Sequence, residues 1–449
     1  MNRKAGKRWI IIPVEVQVRE LLGRLLVAAI AAERGYSVLI GHDRVIRRLA
    51  RFLPRGVLFD KSLGSRNDRK VRRYRRLGYR LTAIDEESTG FFARPDLFLS
   101  LRLSDDSLER AERWFCLSDF IRGHAERIYP TQAGKFVTTG MPRTDLWRPE
   151  FGALFSGEVE SLRRQHGDYL LFCSNFGTVI HTRRGEFVDR QFDRWNRINP
   201  ETAAFRKKTE EEIYRNLVAY EEMLPQLRAW FPDRKLIIRP HPSEDRDYWR
   251  AVAAKIEGAE VHDGGIATPW ILASAGMVHH GCTTGIEAEL LGKPHVMYAP
   301  HPDAHHDTEI MQAFAPIEKT LDGLRRRFSA ILADEHVPRD REPLQRYYAS
   351  LVGPMASQKV VDEIEGIAFD DGYLPSWLSL LRFSPRHLFA EHGPRTAAAK
   401  AYSRQKWQGV TLGEIKRLLG VIAGGAGLKS SLAADEVFPQ LFRIEAAQG

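Results

Sequence analysis

The chain has 449 residues, which is long for one hydrophobic core, so two α/β domains with an appendage are expected. Its 67 basic and 58 acidic side chains give a net charge of +9, and no recognisable nucleic-acid-binding module accompanies them, so nucleic acid is not an expected partner. The three cysteines are widely spaced and odd in number, which argues against a disulfide framework. With no signal peptide or membrane span in the sequence, a cytoplasmic protein is expected.

The first predicted strand is the run Trp9–Val14, whose continuously apolar residues are typical of a parallel strand buried on both faces. A helix and a second strand follow within residues 19–41, which gives a βαβ unit without a G-x-G-x-x-G signature. Glu15, Arg19 and Glu20 stand at the first strand-to-helix turn and are predicted to line the acceptor side of a ligand cleft. The alternative for Arg19 and Glu20 is that they are ordinary residues of a first helical turn.

A second candidate site follows the predicted strand at residues 81–84, where Asp85, Glu86 and Glu87 stand in a row. Three consecutive acids repel each other, which tends to raise the pKa of at least one of them. Such a carboxylate at a strand end is suited to act as a general base for an attacking hydroxyl. The alternative is an acidic cluster at a helix N-terminus, where the helix dipole favours it. Further strands are predicted at residues 97–99, 114–116 and 136–138.

Residues 66–80 carry eight arginine and lysine side chains. Such a run is often one solvated face of a helix. It also fits the anionic surface of an inner membrane, so a peripheral membrane association is a further hypothesis.

The second domain is predicted to open with a strand at residues 169–174. Two more strands, at 236–238 and 276–280, end in polar loops, and the second of these loops leads into a helix. A strand, a loop with small hydroxyl residues and a helix together direct backbone N–H groups and the positive helix end at one point, which suits phosphate. The predicted donor-binding residues are Asn175, Gly177, Arg239, His241, Ser243, Thr283, Thr284, Gly285 and Glu287.

The roles of these residues differ. His241 and Arg239 would donate hydrogen bonds to the phosphate from cationic or N–H groups. The predicted catalytic residues are Asp85, Glu86, Glu87 and His241. Glu287 is a further candidate for donor binding, although Thr284-x-x-Glu287 also reads as a helix capping box. The loop at residues 301–307 is rich in histidine and aspartate but lacks a spacing that would converge ligands, so no metal site is predicted.

The domain boundaries follow from these elements: an acceptor domain at residues 1–150, a donor domain at 165–365 and a helical C-terminal tail at 366–449. In the tail, a helix is predicted at residues 411–422 and glycines at 424–427 end it. The residues after those glycines are predicted to be loosely ordered.

Several motifs together resemble bacterial surface carbohydrate biosynthesis proteins. They are Glu15 with Arg19-Glu20-Leu21, Asp85-Glu86-Glu87, Gly140-Met141-Pro142-Arg143-Thr144-Asp145, Ser174-Asn175-Phe176-Gly177, Arg239-Pro240-His241-Pro242-Ser243-Glu244, Thr283-Thr284-Gly285-Ile286-Glu287-Ala288 and Arg404-Gln405-Lys406-Trp407-Gln408-Gly409-Val410-Thr411. The resemblance implies a GT-B glycosyltransferase, with two Rossmann-like domains facing a central cleft and a helical tail.

The His-Pro loop, the Ser/Thr loop and the acidic pair are also similar to those of bacterial sialyltransferases and Kdo transferases. This similarity implies a CMP-activated acidic sugar whose phosphate is held by His241, Thr283 and Thr284, with Glu287 reaching the ribose hydroxyls of the CMP. It also implies transfer to a surface glycan or glycolipid, and no metal or other cofactor. In those families glycine directly follows the acidic pair. Here Ser88 and Thr89 precede Gly90, so the motif does not identify the base.

Three other functions remain open at this point. A CDP-glycerol-type glycerophosphotransferase can share the His-Pro loop, and a nucleotide-sugar epimerase also has two Rossmann-like domains. A non-catalytic assembly partner at the membrane would account for the basic run, but such a protein needs no strand-end base.

Overall fold

The computed structural model describes residues 8–63, 68–87, 93–182, 189–304, 308–335, 340–367 and 406–447. The chain divides into two compact units. The first comprises Met1–Glu86, Arg102–Leu146 and Tyr348–Gly449, and the second comprises Glu87–Leu101 and Trp147–Tyr347. Among the residues named in the sequence analysis, Arg66, residues 88–90, 305–307 and 404–405 lie outside the described ranges.

The strands of the described ranges are numbered in chain order. They are β1 (Trp9–Val14), β2 (Ser37–His42), β3 (Val57–Asp60), β4 (Arg80–Ile84), β5 (Ala111–Cys116), β6 (Phe136–Thr138), β7 (Leu170–Cys173), β8 (Leu236–Arg239), β9 (Ala259–Val261), β10 (Gly276–His279), β11 (His295–Tyr298), β12 (Ile317–Glu318), β13 (Leu432–Phe438) and β14 (Leu441–Ala446).

The first unit is built on a mixed sheet in the order β13-β14-β2-β1-β3-β4-β5-β6. Strands β1 to β6 pair in parallel, whereas β14 pairs antiparallel with both β2 and β13. All six residues of β1 are buried, which agrees with its continuously apolar sequence. The helices of this unit are Gln17–Glu33, Asp43–Leu49, Asp68–Arg76, Asp105–Arg110, Asp119–Ile128, Pro142–Asp145, Ala356–Glu365 and Leu412–Gly425, with a 3-10 helix at Pro130–Lys135.

The second unit contains a parallel sheet in the order β12-β11-β10-β7-β8-β9. Side chains of β7 alternate between two cores: Leu170 and Phe172 pack with the long helix Glu201–Trp230, and Leu171 and Cys173 pack on the other side of the sheet. The other helices are Pro95–Arg102, Ser156–His166, Asp189–Ile198, Arg246–Ala253, Thr268–Ala273, Thr283–Leu290, Glu309–Phe314 and Leu321–Leu332, with 3-10 helices at Pro149–Leu154 and Glu342–Arg346. No helix within the described ranges is both long and apolar enough to span a bilayer.

Two secondary-structure predictions are wrong. Residues 97–99 lie in the helix Pro95–Arg102 and not in a strand. Three apolar residues do not distinguish a strand from a helix, and Pro95 suits the first turn of a helix because its missing N–H is not needed there.

The end of the chain is neither wholly helical nor loosely ordered after the glycines, because β13 and β14 form a hairpin that extends the first sheet. In β14 the buried Phe442 and Ile444 alternate with the more exposed Arg443 and Glu445, which is the period of a strand with one buried face.

Candidate functional site

Three loops with predicted donor-binding residues lie side by side at one edge of the second sheet, namely the edge formed by the carboxyl ends of its parallel strands. Strand β7 pairs in parallel with β8 on one side and with β10 on the other, so all three strands end at this edge. Asn175 follows β7, and its Nδ2 donates to the carbonyl oxygen of Gly281, which follows β10, at 3.5 Å. The fold therefore brings together residues 174–177, 239–244 and 281–287.

The side chain of His241 is held by its own loop. Its Nδ1 lies 2.8 Å from the Ser243 hydroxyl and accepts the Ser243 backbone N–H at 3.2 Å. A backbone N–H can only donate, so Nδ1 is the acceptor and the neutral ring carries its proton on Nε2. The backbone N–H of His241 donates to the Ser174 hydroxyl at 3.2 Å. These bonds make Nε2–H a fixed donor, which is what the phosphate role requires.

Glu244 anchors this loop and was not among the predicted site residues. It is fully buried, and its carboxylate accepts from the Phe176 N–H at 2.5 Å, from Trp249 Nε1 at 2.7 Å and from the Ser174 hydroxyl. Burial raises the pKa of Glu244 to about 7, although these hydrogen bonds act to lower it. Through Ser174 it supports the backbone of His241. An acidic residue just before a helix is typical of a helix start, so the sequence alone does not indicate that Glu244 anchors the loop.

Gly177 packs against the residue that holds His241. A Cβ atom at position 177 would collide with Ser243 Oγ, whereas Ser243 Cβ would be 3.7 Å away. Glycine at this position therefore leaves room for the hydroxyl bonded to His241. The predicted donor contact of Gly177 stays a prediction, and the contact found in the structure is a supporting one.

The helix Thr283–Leu290 begins at the same edge of the sheet. Its N-cap residue is Cys282, in extended conformation, and the Cys282 side chain does not cap a backbone N–H of the first turn. Thr283 and Thr284 are partly exposed there, and Thr284 Oγ1 lies 2.5 Å from the Cys282 sulfur. Burial raises the pKa of Cys282, which keeps the thiol neutral. The first turn thus combines two hydroxyls with the positive end of a helix.

Gly285 is required by packing inside this helix. A Cβ atom at position 285 would lie 2.6 Å from Nε2 and 2.9 Å from Nδ1 of the buried His279. His279 Nε2 lies 3.1 Å from His295 Nδ1, and His295 Nε2 lies 3.0 Å from Glu289 Oε2. A buried chain of polar side chains therefore supports the helix start, and its members are too far apart in sequence to be recognised as one group.

The alternative assignment of Glu287 to a capping box with Thr284 is wrong. The N-cap is Cys282, and the carboxylate of Glu287 instead accepts a hydrogen bond from the Thr268 hydroxyl, which comes from the helix Thr268–Ala273. Glu287 is mostly buried. Its predicted contact with a ribose stays a prediction.

Arg239 is buried at the end of β8, and its contacts are with the protein. Its guanidinium donates to the carbonyl oxygens of His262 at 3.3 Å and Gly265 at 3.2 Å, and it stacks on Trp270 with 4.9 Å to the ring centroid. Burial lowers the pKa of Arg239 from its usual value. In the structure Arg239 holds the segment after β9, and its predicted contact with phosphate stays a prediction.

The three consecutive acids after β4 have different environments; Asp85 and Glu86 belong to the first unit and Glu87 to the second. Asp85 is buried, with Oδ2 3.5 Å from Arg102 Nε, whereas Glu87 is exposed. The Glu86 side chain is 11% exposed, and its Oε1 lies 3.5 Å from Arg24 Nη2. Burial raises the pKa of Glu86, while Arg24 acts to lower it. Glu86 is thus a partly accessible carboxylate with a raised pKa, the combination expected of a general base.

Arg24 was not predicted as a site residue. Its guanidinium is almost fully buried, donates to the Phe59 carbonyl oxygen at 2.8 Å and stacks over the Phe59 ring at 4.3 Å. An arginine within the otherwise apolar stretch at residues 21–32 is the available signal, because a buried charge needs a partner.

The predicted acceptor-side residues lie at the start of the helix that follows β1. Glu15 forms ion pairs with Lys61 at 2.8 Å and Lys406 at 2.6 Å, and Glu20 Oε2 accepts the Glu15 N–H at 2.7 Å. Burial opposes ionisation of Glu15, but the two lysines hold its pKa below the usual range. Arg19 is half-buried and forms no ion pair with any residue in the described ranges. Arg19 therefore has charge available for an anionic ligand.

About half of the basic run at residues 66–80 is neutralised within the first unit. The ion pairs are Lys70 with Asp60, Arg72 with Asp106, and Arg75 and Arg80 with Glu112. Arg69, Arg73 and Arg76 are exposed and pair with no acid in the part of the chain that the structure describes. The membrane-surface hypothesis stays a prediction and rests on these three side chains.

Comparisons with known proteins identify the fold. No protein-family model matches the chain, and no curated protein matches it. The UDP-GlcNAc 2-epimerase of Methanocaldococcus jannaschii has a similar structure, with 11% identity over 80% of this chain and 99% of the epimerase, and a TM-score of 0.50. Anabaena Alr3699/HepE in complex with UDP-glucose is 9% identical over 79% of this chain and 94% of its own, with a TM-score of 0.41. The wall teichoic acid polymerase TagF is 9% identical over 80% and 88% of the two chains, with a TM-score of 0.43.

At 11% identity, the similarity to the epimerase concerns the fold and not the activity. The predicted resemblance to Kdo transferases and sialyltransferases stays a prediction. The fold itself is the one predicted from the sequence: the chain has the two Rossmann-like units of the GT-B architecture.

Proposed function

We propose that the protein is a glycosyltransferase that uses a nucleotide-activated sugar. The observation that carries the proposal is that the loop with His241 and the first turn of the helix Thr283–Leu290 follow the two strands that flank β7, at the same end of the second sheet. A fixed imidazole N–H and a helix N-terminus at one sheet edge are two kinds of donor that suit a phosphate group. The epimerase that shares the fold is named for a nucleotide sugar, which agrees with this ligand class.

In the transfer, the bond between the anomeric carbon and a phosphate oxygen of the donor breaks, and negative charge develops on that oxygen. His241 Nε2–H and the start of the helix at Thr283 would stabilise this charge. Both are held in place before the reaction, so little reorganisation is needed when the charge appears. Loss of one such donor reduces the rate of comparable enzymes by about 10²- to 10³-fold.

The incoming group is a hydroxyl of the acceptor, and Glu86 would take its proton as the new bond to the anomeric carbon forms. Burial raises the pKa of Glu86, which strengthens the carboxylate as a base, while Arg24 acts to lower that pKa. Arg19, Glu15 and Glu20 would bind the acceptor, with Arg19 as the cationic member of the group.

For the donor we propose CMP linked to an acidic sugar such as Kdo or a sialic-acid-like sugar, and for the acceptor a bacterial surface glycan or glycolipid. The short turn at residues 282–285 offers donors for about one phosphate, whereas a diphosphate usually spreads over a longer glycine-rich loop. The resemblance of the His-Pro and Ser/Thr loops to Kdo transferases and sialyltransferases adds support for this donor class.

A panel of CMP, CDP, UDP and GDP tests the donor class through thermal stability. CMP should stabilise the protein by about 2.7 kcal/mol at a hundredfold excess over its dissociation constant. Replacing both hydroxyls, Thr283→Val with Thr284→Val, should abolish the shift. Stabilisation by UDP or GDP and not by CMP would refute the CMP donor.

The reaction class needs a second assay. A transferase releases free nucleotide in proportion to the acceptor added, for example a glycolipid extract. A UDP-sugar that is converted without acceptor and without nucleotide release would identify an epimerase instead. Transfer of glycerol phosphate from CDP-glycerol would identify the phosphotransferase.

A further inference from the structure

Two histidines and a glutamate that are not part of the three candidate-site loops converge in the second unit. His166 ends the helix Ser156–His166, where Gly167 adopts a positive φ of 66° and stops the helix. Glu260 lies in β9, and His262 follows it directly. One ligand atom from each of the three side chains lies within 4.8 Å of the other two.

The spacing of these atoms matches a metal coordination sphere. His166 Nδ1 lies 3.3 Å from Glu260 Oε2, and His262 Nε2 lies 3.0 Å from the same oxygen. Zinc bonds of about 2.0–2.2 Å in tetrahedral geometry place neighbouring ligand atoms about 3.3–3.6 Å apart. Two of the three distances between ligand atoms are therefore within about 0.3 Å of this spacing before any ion is bound.

His166 supplies a second, independent observation. His166 is 6% exposed; its Nδ1 lies 3.3 Å from Glu260 Oε2 without the geometry of a hydrogen bond, and its Nε2 has no hydrogen-bond partner in the described part of the chain. Buried polar atoms without partners are rare because each costs about 1–3 kcal/mol. An ion bound at Nδ1 would satisfy one of these nitrogens.

The alternative is a network of ion pairs without a metal, since Lys235 Nζ lies 2.6 Å from Glu260 Oε1. The lysine, however, contacts Oε1 of Glu260, whereas both histidines contact Oε2. Oε2 is therefore left to serve as the metal ligand between the two histidines.

From these observations we propose that His166, Glu260 and His262 bind one Zn²⁺ ion. Two imidazoles and a carboxylate favour zinc over magnesium or calcium, which prefer ligand sets made only of oxygen. The Glu260 and His262 side chains are 35% and 29% exposed, so a water molecule can take the fourth position.

The ion would fasten the end of one helix to the end of β9. It would also act on Arg239, because the carbonyl of His262 accepts from Arg239 Nη1 at 3.3 Å and Trp270 contacts His166, His262 and Arg239. Arg239 is two residues from His241. The zinc is therefore a structural ion that supports the phosphate loop, separate from the chemistry of transfer.

The proposal is tested by calorimetric titration of ZnCl₂ into the full chain, which is produced without a histidine tag and stripped of metal. One equivalent per chain should bind, and Co²⁺ should give the visible absorption of a four- or five-coordinate site. His262→Gln and Glu260→Gln should each weaken zinc binding by at least about 100-fold, beyond the 10- to 100-fold typical for loss of a second-shell partner. Both positions are partly exposed, so the variants are expected to fold.

Two controls separate this site from adventitious binding. His124→Gln, in the other unit, should bind zinc as the wild type does. Lys235→Met should bind it more tightly, because an ammonium group 2.6 Å from Glu260 Oε1 repels the cation. Zinc binding that does not saturate at one equivalent, or that is unchanged in His262→Gln, would overturn the proposal.

Discussion

Replacing Gly177 by alanine tests whether the support of His241 matters for ligand binding. The added Cβ would collide with Ser243 Oγ and displace the hydroxyl that lies 2.8 Å from His241 Nδ1. The Ser243 backbone N–H still donates to Nδ1, so the tautomer persists and the ring loses one of two supports. A hydrogen bond contributes about 1 kcal/mol, so nucleotide affinity should fall about fivefold.

A double-mutant cycle makes this prediction specific. Ser243→Ala alone should cause the same loss, and it removes the atom with which the new Cβ collides, since Ser243 Cβ would remain at 3.7 Å. The double variant should therefore bind nucleotide as Ser243→Ala does, with no added loss. Gly152→Ala is the matched control because nothing lies within 4 Å of a Cβ there. Calorimetry with the stabilising nucleotide measures all four proteins, and additive losses would refute the reasoning.

Four further predictions concern the catalytic groups and the buried anchor. His241→Ala should lower transfer by about 10²-fold or more in a folded protein, as judged by nucleotide release, and near-normal turnover would remove it from the site. Glu86→Gln should keep nucleotide binding and lose transfer, whereas Glu87→Gln and Asp85→Asn serve as controls; activity that depends on Glu87 instead would move the base by one residue. Because burial raises the pKa of Glu86 and a base must be ionised, wild-type activity should fall on the acid side at a pH above the usual carboxyl value of 4.5. Folding raises the pKa of Glu244 from 4.5 to about 7, so the stability it contributes is complete below pH 4.5 and is lost as the pH rises through 7. The loss should be about 3 kcal/mol in denaturant titrations and absent in Glu244→Gln, and equal pH dependence in the two proteins would contradict it.

The strands that position the donor loops could be predicted because parallel strands buried on both faces are continuously apolar. This pattern is clear in β1, β7 and β8. The loop at His241 could be predicted from its prolines, which end the strand and exclude a helix. Local sequence is enough for such features because the cause lies within a few residues.

The partners of individual side chains could not be predicted in the same way. Glu287 bonds to Thr268, and Arg239 bonds to the carbonyl of His262, so both contacts depend on how separate segments pack. Sequence reasoning assigned both residues to the ligand because charged residues at strand ends and helix starts are typical of binding sites. The different environments of Asp85 and Glu86 likewise arise from Arg102 and Arg24, which lie in two helices distant from β4 in sequence.

The hairpin of β13 and β14 has a consequence for the order in which the chain can fold. Ser37, in β2, is bonded to Glu445, in β14, across 408 residues of sequence. All strands of the second sheet lie within residues 170–318, so that sheet can form before the first is complete. At synthesis rates of about 5–20 residues per second, β14 emerges on the order of 20–80 s after β2. During this interval the edge of β2 lacks its native neighbour and is open to pairing with other nascent chains.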